Sequence, residues 1–252
     1  MTALEKVTDI LELFLKSNEE LSLAEISRLT GLNKSTAYRI ASFLTKKGYL
    51  KQIEKRGKYS LGMKFLDFNT VIKDRIAVRS IASRYLYELR NTIQESCGLV
   101  IWDGHTATLI DTFLYNSTLR ASPSEVSKLP LHATSAGKIF LANMTDEQLN
   151  RYLSQNRLEK FTPKTIVDPV YLKKQLEIIR QEKIAYDIDE HIVGITSIGL
   201  GIRDFKGNIN SAVAVIAPSA RLTSQKIKEI TPVVREYTLN ISKELGWKED
   251  YL

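Results

Sequence analysis

Apolar residues near the start of the chain fall at Leu4, Val7, Ile10, Leu11, Phe14 and Leu15, a spacing that puts them on one face of a helix over residues 2–16. Thr2 with Glu5 has the form of a capping box, and Ser22 with Glu25 repeats it ahead of a short helix ending at Thr30. Gly31 makes a tight turn. Asn33 opens a third helix, because its side-chain oxygen accepts the N–H groups of the first turn, and Gly48 closes it in a left-handed turn. On that helix Ala37, Ile40 and Leu44 share one face, while Ser35, Tyr38, Arg39, Ser42, Thr45 and Lys46 share the other. The order helix, helix, glycine turn, helix is that of a helix-turn-helix, whose last helix enters a major groove. Its polar front has no acid, and its hydroxyl and guanidinium groups are those that bond phosphate oxygens and base edges.

After Gly48 the period shortens. Tyr49–Ile53 and Lys58–Leu61 predict a hairpin, a wing, around the turn Glu54-Lys55-Arg56-Gly57, and Gly62 closes this unit. From Met63 to about Glu95 the pattern is helical throughout, with an apolar stripe running from Phe65 to Ile93. A helix that long joins domains or dimerises, and Lys73-Asp74-Arg75 marks the boundary within it. Beyond it, Leu99–Trp102 with Thr108–Phe113, and Thr196–Arg203 with Ile209–Ile216, predict two hairpins. Helices are expected over Ser135–Asn143, over Thr145–Leu153 with Thr145 and Gln148 as a cap pair, and from Asp168-Pro169 to Glu182. A last helix spans Ser224–Leu245, perturbed at Pro232 and ended by Gly246. Antiparallel hairpins with helices packed on one side predict an α+β domain rather than a doubly wound sheet.

Charge sharpens the first third. The chain has 252 residues and a net charge of +7. Residues 28–64 alone hold ten basic side chains against one acid, Glu54, which points to a polyanionic partner. Cys97, the single cysteine, excludes an internal disulfide and an all-cysteine metal site. The uncharged stretch Asn208–Ala220 is short of the roughly 20 residues of a membrane span, so a soluble, cytoplasmic protein with no membrane partner is expected.

Candidate catalytic and cofactor motifs fail on spacing. Ser135-Ala-Gly137-Lys138 lacks the glycine (His132 stands there) and the Ser or Thr (Ile139) of a phosphate loop. Gly199-Leu-Gly201 precedes a hairpin, not a helix, so the dinucleotide fingerprint is absent. No cofactor is expected. The helix start at Ser135 either holds an anionic head group on its free N–H groups or is a structural turn. His132, Ser135 and Asp187 are the one triad that can be assembled, with nothing to fix their geometry; His132 reads as a hydrogen-bonded loop residue. Asp189, Glu190 and His191 diverge on any regular element and read as a solvated acidic turn, not a metal site. No enzyme is expected.

With helix, wing and boundary in place, the chain resembles the IclR family of transcription regulators. The likeness rests on Leu21–Arg39, Lys47-Gly-Tyr49, Tyr59–Gly62, the loop Leu129-Pro-Leu-His-Ala-Thr-Ser-Ala-Gly-Lys138, and the acidic run Ala185–Gly194. The resemblance implies a winged helix-turn-helix domain over 1–62, a linker helix over 63–95, and a GAF-like effector-binding domain with an antiparallel sheet over 75–252. It implies a homodimer or dimer of dimers on a partly palindromic double-stranded DNA operator. Lys34, Ser35, Thr36, Tyr38, Arg39, Ser42 and Lys46 of the third helix, with Lys55, Arg56 and Lys58 of the wing, would meet the duplex. The implied effector cavity would be lined by Ala121, Ser135, Ala136, Gly137, Asp187, Ile195, Ser197, Ala214 and Ile216. Ala214 and Ile216 stand where many members carry hydroxyls, and no proline follows Ser197. A more apolar pocket follows, for an aromatic or aliphatic acid or for no ligand. Two other functions compete. An enzyme acting on a small acid needs a nucleophile–base pair that the chain lacks, and a non-specific duplex-binding protein would not distinguish an operator from random sequence.

Overall fold

The computed structural model describes residues 2–17, 20–52, 57–68, 77–116 and 127–248. The chain divides into two compact units, Met1–Arg75 and Ile76–Leu252. In the first, α1 (Ala3–Ser17), α2 (Leu23–Thr30) and α3 (Lys34–Lys46) precede the strands β1 (Leu50–Gln52) and β2 (Tyr59–Leu61). Both predicted capping boxes form: Thr2 with Glu5, and Ser22 with Glu25. Gly31, at φ +70°, turns α2 into α3 in a conformation that costs glycine nothing. β1 and β2 pair antiparallel, and Tyr59 also exchanges backbone hydrogen bonds with Leu21, tying the wing to the α1–α2 connection. One core, built on Ile10, Phe14, Ile26, Ala41, Leu44 and Tyr59, holds this unit together.

The predicted helix over 63–95 is only partly within view. Residues 64–68 are helical, and α4 runs Ala77–Ile93. The intervening segment, with the expected boundary at Lys73–Arg75, lies outside the described residues. α4 stops two residues before Glu95, because Gln94 takes a left-handed φ of 58°.

The second unit is built on a six-stranded antiparallel sheet: β3 (Ser96–Trp102), β4 (Ala107–Phe113), β5 (Ser127–Leu129), β6 (Ala185–Ile188), β7 (Ile195–Arg203) and β8 (Ile209–Pro218). Their order across the sheet is β5-β4-β3-β8-β7-β6. Its helices are α5 (Ser135–Ala142), α6 (Asp146–Gln155), α7 (Pro169–Glu182) and α8 (Ser224–Glu244), with α4. The expectation of helices on one side is corrected here. Leu86 and Leu89 of α4 and Val234 and Ile241 of α8 bury Leu99, Ile198, Val213 and Val215 on one face. Ile139 and Phe140 of α5, with Leu172 and Leu176 of α7, bury Val100, Leu109, Ala212 and Ala214 on the other. Alternate residues of β8 therefore serve two cores, as the strand period of two requires. α8 continues as helix through Pro232, which brings no N–H to the helical ladder there. β5 and β6 were not anticipated from the sequence.

Candidate functional site

On the first unit the candidate surface is α3. Asn33 caps it, accepting the Thr36 N–H at 2.9 Å and also the Ser35 hydroxyl. Ala37, Ala41 and Leu44 are buried, with Ile40 half-buried beside them. Outward, Lys34, Ser35, Arg39, Ser42 and Lys46 are exposed, Tyr38 is 55% exposed, and Thr36 is half-buried. The Thr45 hydroxyl turns back onto Ala41 O and serves the helix. Phe43, 54% exposed with Lys47 Nζ above its ring, also stands outside the core, a feature missed because an aromatic at helical spacing reads as core. Lys58 is exposed just before β2. Lys55 and Arg56, the expected wing tip, lie outside the described residues, as does Ala121 of the expected cavity.

On the second unit a cavity of about 430 Å³ opens between the start of α5, the strands β7 and β8, and the β6–β7 turn. Ser135, Ala136, Asp187, Ile195, Ser197, Ala214 and Ile216 all line it. Gly137 does not. A Cβ there would lie 2.5 Å from Leu131 Cα and 2.6 Å from Thr134 Oγ1, so this glycine lets the preceding loop wrap onto the helix rather than shaping the cavity. Sequence reasoning missed Val100, Leu109, Lys128, Leu129, Thr134, His191 and Ile192 among the lining. Thr134 was the most findable, since it is the N-cap of α5 and accepts the Gly137 N–H.

Two features give this cavity its chemistry. Gly199 on β7 has no side chain to hold α5 away: a Cβ there would stand 2.6 Å from Ser135 C and 2.8 Å from Ala136 N. The first turn of α5, whose amides have no partner inside the helix, is thereby pressed onto the sheet at the cavity floor. Opposite it, Asp187 is buried, accepting the N–H groups of Glu190 at 2.8 Å and His191 at 3.3 Å. Burial pushes its carboxyl up to about 6, against the pull of those hydrogen bonds.

The expected solvated acidic turn is a correction. Glu190 is buried and accepts from Lys138 Nζ at 2.6 Å, a lysine with no exposed surface. Burial draws that ammonium below the ordinary lysine range, opposed by Glu190. Thr162 and Thr165 donate to the Asp189 and Glu190 carbonyls, and Asp189 accepts from Lys164, Ser219 and the Gly194 N–H. The triad does not assemble: His132 Nε2 bonds Glu159 O, and Ser135 bonds Ser197. Among the described residues no cluster of metal-ligating side chains forms. A larger, more open cleft of about 740 Å³ lies by Trp102, Phe140 and Tyr152, and none of the candidate residues reaches it.

A winged helix-turn-helix unit with a cationic, exposed third helix, and a separate α+β unit enclosing a ligand-sized cavity, define a ligand-controlled DNA-binding regulator. Family models for the IclR helix-turn-helix domain and for "Bacterial transcriptional regulator IclR C-terminal" match residues 3–54 and 70–243. The chain belongs to the IclR family of bacterial transcriptional regulators. It is 31% identical over 246 residues to the HTH-type transcriptional repressor AllR of Escherichia coli strain K12, covering 98% of this chain and 91% of that one. The crystal structure of the Thermotoga maritima IclR is 29% identical and superposes with a TM-score of 0.78, covering 97% of this chain and 98% of that chain. An IclR homologue from Microbacterium hydrocarbonoxydans, solved with 4-hydroxybenzoate, is 21% identical with a TM-score of 0.82, covering 97% and 99%. At that identity the likeness speaks for the fold.

Proposed function

We propose that α3 and the wing read an operator, that the chain acts as a homodimer or dimer of dimers, and that an aromatic or aliphatic carboxylic acid in the cavity controls it. The division of labour we infer is residues 1–62 on DNA, 63–95 as connection and 75–252 as sensor. Lys34, Lys46, Lys58, Lys55 and Arg56 would supply sequence-independent attraction to phosphates. Ser35, Thr36, Tyr38, Arg39 and Ser42 would fix register and read bases. Working on a bacterial operator places the protein in the cytoplasm, and like the repressors it is related to, it would occlude its target.

The observation that carries the effector reading is the floor of the cavity. The Ser135 and Ala136 amides, free of helix partners, supply donors and the positive end of a helix dipole to an anionic head group. The walls around it are mostly aliphatic, Val100, Leu109, Leu129, Ile192, Ile195 and Ile216 among them, with Lys128 and His191 as the polar exceptions. An acid with an apolar body fits that division, and the 4-hydroxybenzoate of the Microbacterium homologue is of this kind.

A footprint on the duplex flanking the protein's own gene tests the reading, with benzoate, 4-hydroxybenzoate, hexanoate and pyruvate as candidate effectors. Protection of a partly palindromic segment, altered by the first three and not by pyruvate, is the expected result. Equal affinity for that segment and for random duplex would overturn the operator reading. Response to two- and three-carbon acids alone would overturn the apolar-acid reading.

A further inference from the structure

The polar floor of the cavity is one hydrogen-bonded row. Ser135 Oγ lies 2.7 Å from Ser197 Oγ, and Ser197 Oγ reaches Asp187 Oδ2 at 3.4 Å. The other carboxylate oxygen, Oδ1, is taken by the Glu190 and His191 N–H groups. All three side chains are buried and all three line the cavity. Each serine has a single hydroxyl proton, so the row has a direction, and Asp187 sets it. With Asp187 ionised, Ser197 donates to Oδ2 and Ser135 donates to Ser197, leaving Ser135 to show the cavity only lone pairs. With a proton on Oδ2 the order reverses: Asp187 donates to Ser197, Ser197 to Ser135, and the Ser135 hydroxyl points its proton into the cavity.

We propose that a carboxylate ligand enters this cavity together with one proton, which passes from solvent to Asp187 Oδ2 and reverses the Asp187–Ser197–Ser135 row so that Ser135 donates to the bound acid. This inference rests on the acid-binding reading above and deepens it.

The groups around Asp187 leave it as the site of uptake. From α5, Lys138 faces it, but that ammonium is bound to Glu190 from the β6–β7 turn, and the two charges offset one another. His191, from the same turn, is held below the ordinary histidine range by burial and then by His132, so it is neutral near pH 7. β7 contributes the neutral Ser197. β5 brings Lys128 to the cavity as well, exposed to solvent. An ionised Asp187 beside a ligand carboxylate would still be a second negative charge at the buried end of the site, the arrangement in which one of two acids takes a proton. Burial, outweighing the two backbone hydrogen bonds and Lys138, already brings the Asp187 carboxyl to about 6, so little further change is needed near neutrality.

Calorimetric titration of the full chain, in buffers of different ionisation enthalpy, counts the protons. With benzoate, and with hexanoate as an aliphatic probe, uptake of close to one proton per ligand is expected at about pH 8, and affinity should fall about tenfold per unit from pH 6.5 upward. Benzamide, neutral and of the same shape, should bind without uptake. In Asp187→Asn the amide Oδ1 still accepts both N–H groups and Nδ2 donates to Ser197, fixing the protonated direction. Benzoate should then bind with pH-independent affinity matching the wild type at low pH. Wild-type binding of benzoate with no proton uptake and no pH slope overturns the proposal without any variant being needed, as does a slope retained in Asp187→Asn. Failure of benzoate and hexanoate to bind either protein at any pH overturns the acid-binding reading itself, and the proposal with it.

Discussion

α3 and α5 begin alike and end as opposites. Each is capped by a side chain that accepts a first-turn N–H, Asn33 for α3 and Thr134 for α5. α3 then keeps its cations and both serine hydroxyls in water and buries only Ala37, Ala41 and Leu44. In α5 all eight residues are buried, Lys138 included. On the proposed reading the same opening would serve two kinds of recognition. A duplex would be read by an exposed face whose chemistry is local to one helix. A small molecule would be read by amides and hydroxyls that only tertiary contact with β6, β7 and β8 brings together. Charge in α3 should then be removable at the cost of affinity alone, whereas charge in α5 is part of the structure.

The sharpest break of that comparison is Lys138→Met. It leaves Glu190, whose Oε2 already lacks a hydrogen-bond partner among the described residues, as an uncompensated buried carboxylate. A loss of about 3–5 kcal/mol in stability is expected, most of it recovered in Lys138→Met combined with Glu190→Leu. Trp102 and Trp247 are the only tryptophans and both lie in the second unit, so urea unfolding of the full chain followed by tryptophan fluorescence reports this unit. A single variant as stable as the wild type would mean the pair is not held apart from solvent. Next comes Gly199→Ala. The nearest atoms to the added methyl are backbone, at Ser135 and Ala136, and neither can swing aside. About 3 kcal/mol of destabilisation is expected by the same readout, with loss of acid binding as α5 is lifted from the sheet.

What the sequence made legible follows the same divide. The capping boxes at Thr2–Glu5, Ser22–Glu25 and Thr145–Gln148, and the Asp168-Pro169 start, are written within four residues, and all form. Hairpins joined by short turns were readable for the same reason. β5 and β6 were not, because three or four residues become a strand only by pairing with β4 and β7. The two-sided sheet was hidden because strands buried on both faces lose their polar alternation. Asp189-Glu190-His191 looked solvated because its partners, Lys138, Thr162, Thr165 and Ser219, are distant in sequence. Gly137 was placed in the cavity on resemblance alone; its contact with Leu131 is a packing fact.

Asp187 supplies the third test, in which the buried site should carry a pH signature that the exposed helix lacks. Its carboxyl is raised from 3.8 to about 6 by folding. A raised folded value means that the neutral form is favoured in the native state. The associated stability is complete below about pH 4 and is lost as pH rises through 6. A decline on the order of 2 kcal/mol across that window is expected in the tryptophan-monitored unfolding of the wild type. Asp187→Asn should lack this component and be the more stable protein at pH 7. A wild type and variant that run parallel across the window would show that Asp187 is already compensated in the fold.

The smallest effects belong to α3, and there the question is what kind of loss each side chain produces. Arg39 is exposed on a face that holds no acid, free to make a bidentate base contact. Arg39→Ala should then cost about 1–3 kcal/mol on the operator and far less on random duplex, narrowing the gap between them. Lys46, on the last turn, offers a point charge that suits phosphate rather than base geometry. Lys46→Ala should weaken both duplexes together, by less than about 1 kcal/mol, and reduce the slope of log affinity against log salt by about one. Neither change should move the tryptophan-monitored unfolding, since neither side chain enters a core. If Arg39→Ala instead lowers affinity for both duplexes equally, the arginine is another phosphate contact, and sequence reading must rest with Ser35, Thr36, Tyr38 and Ser42.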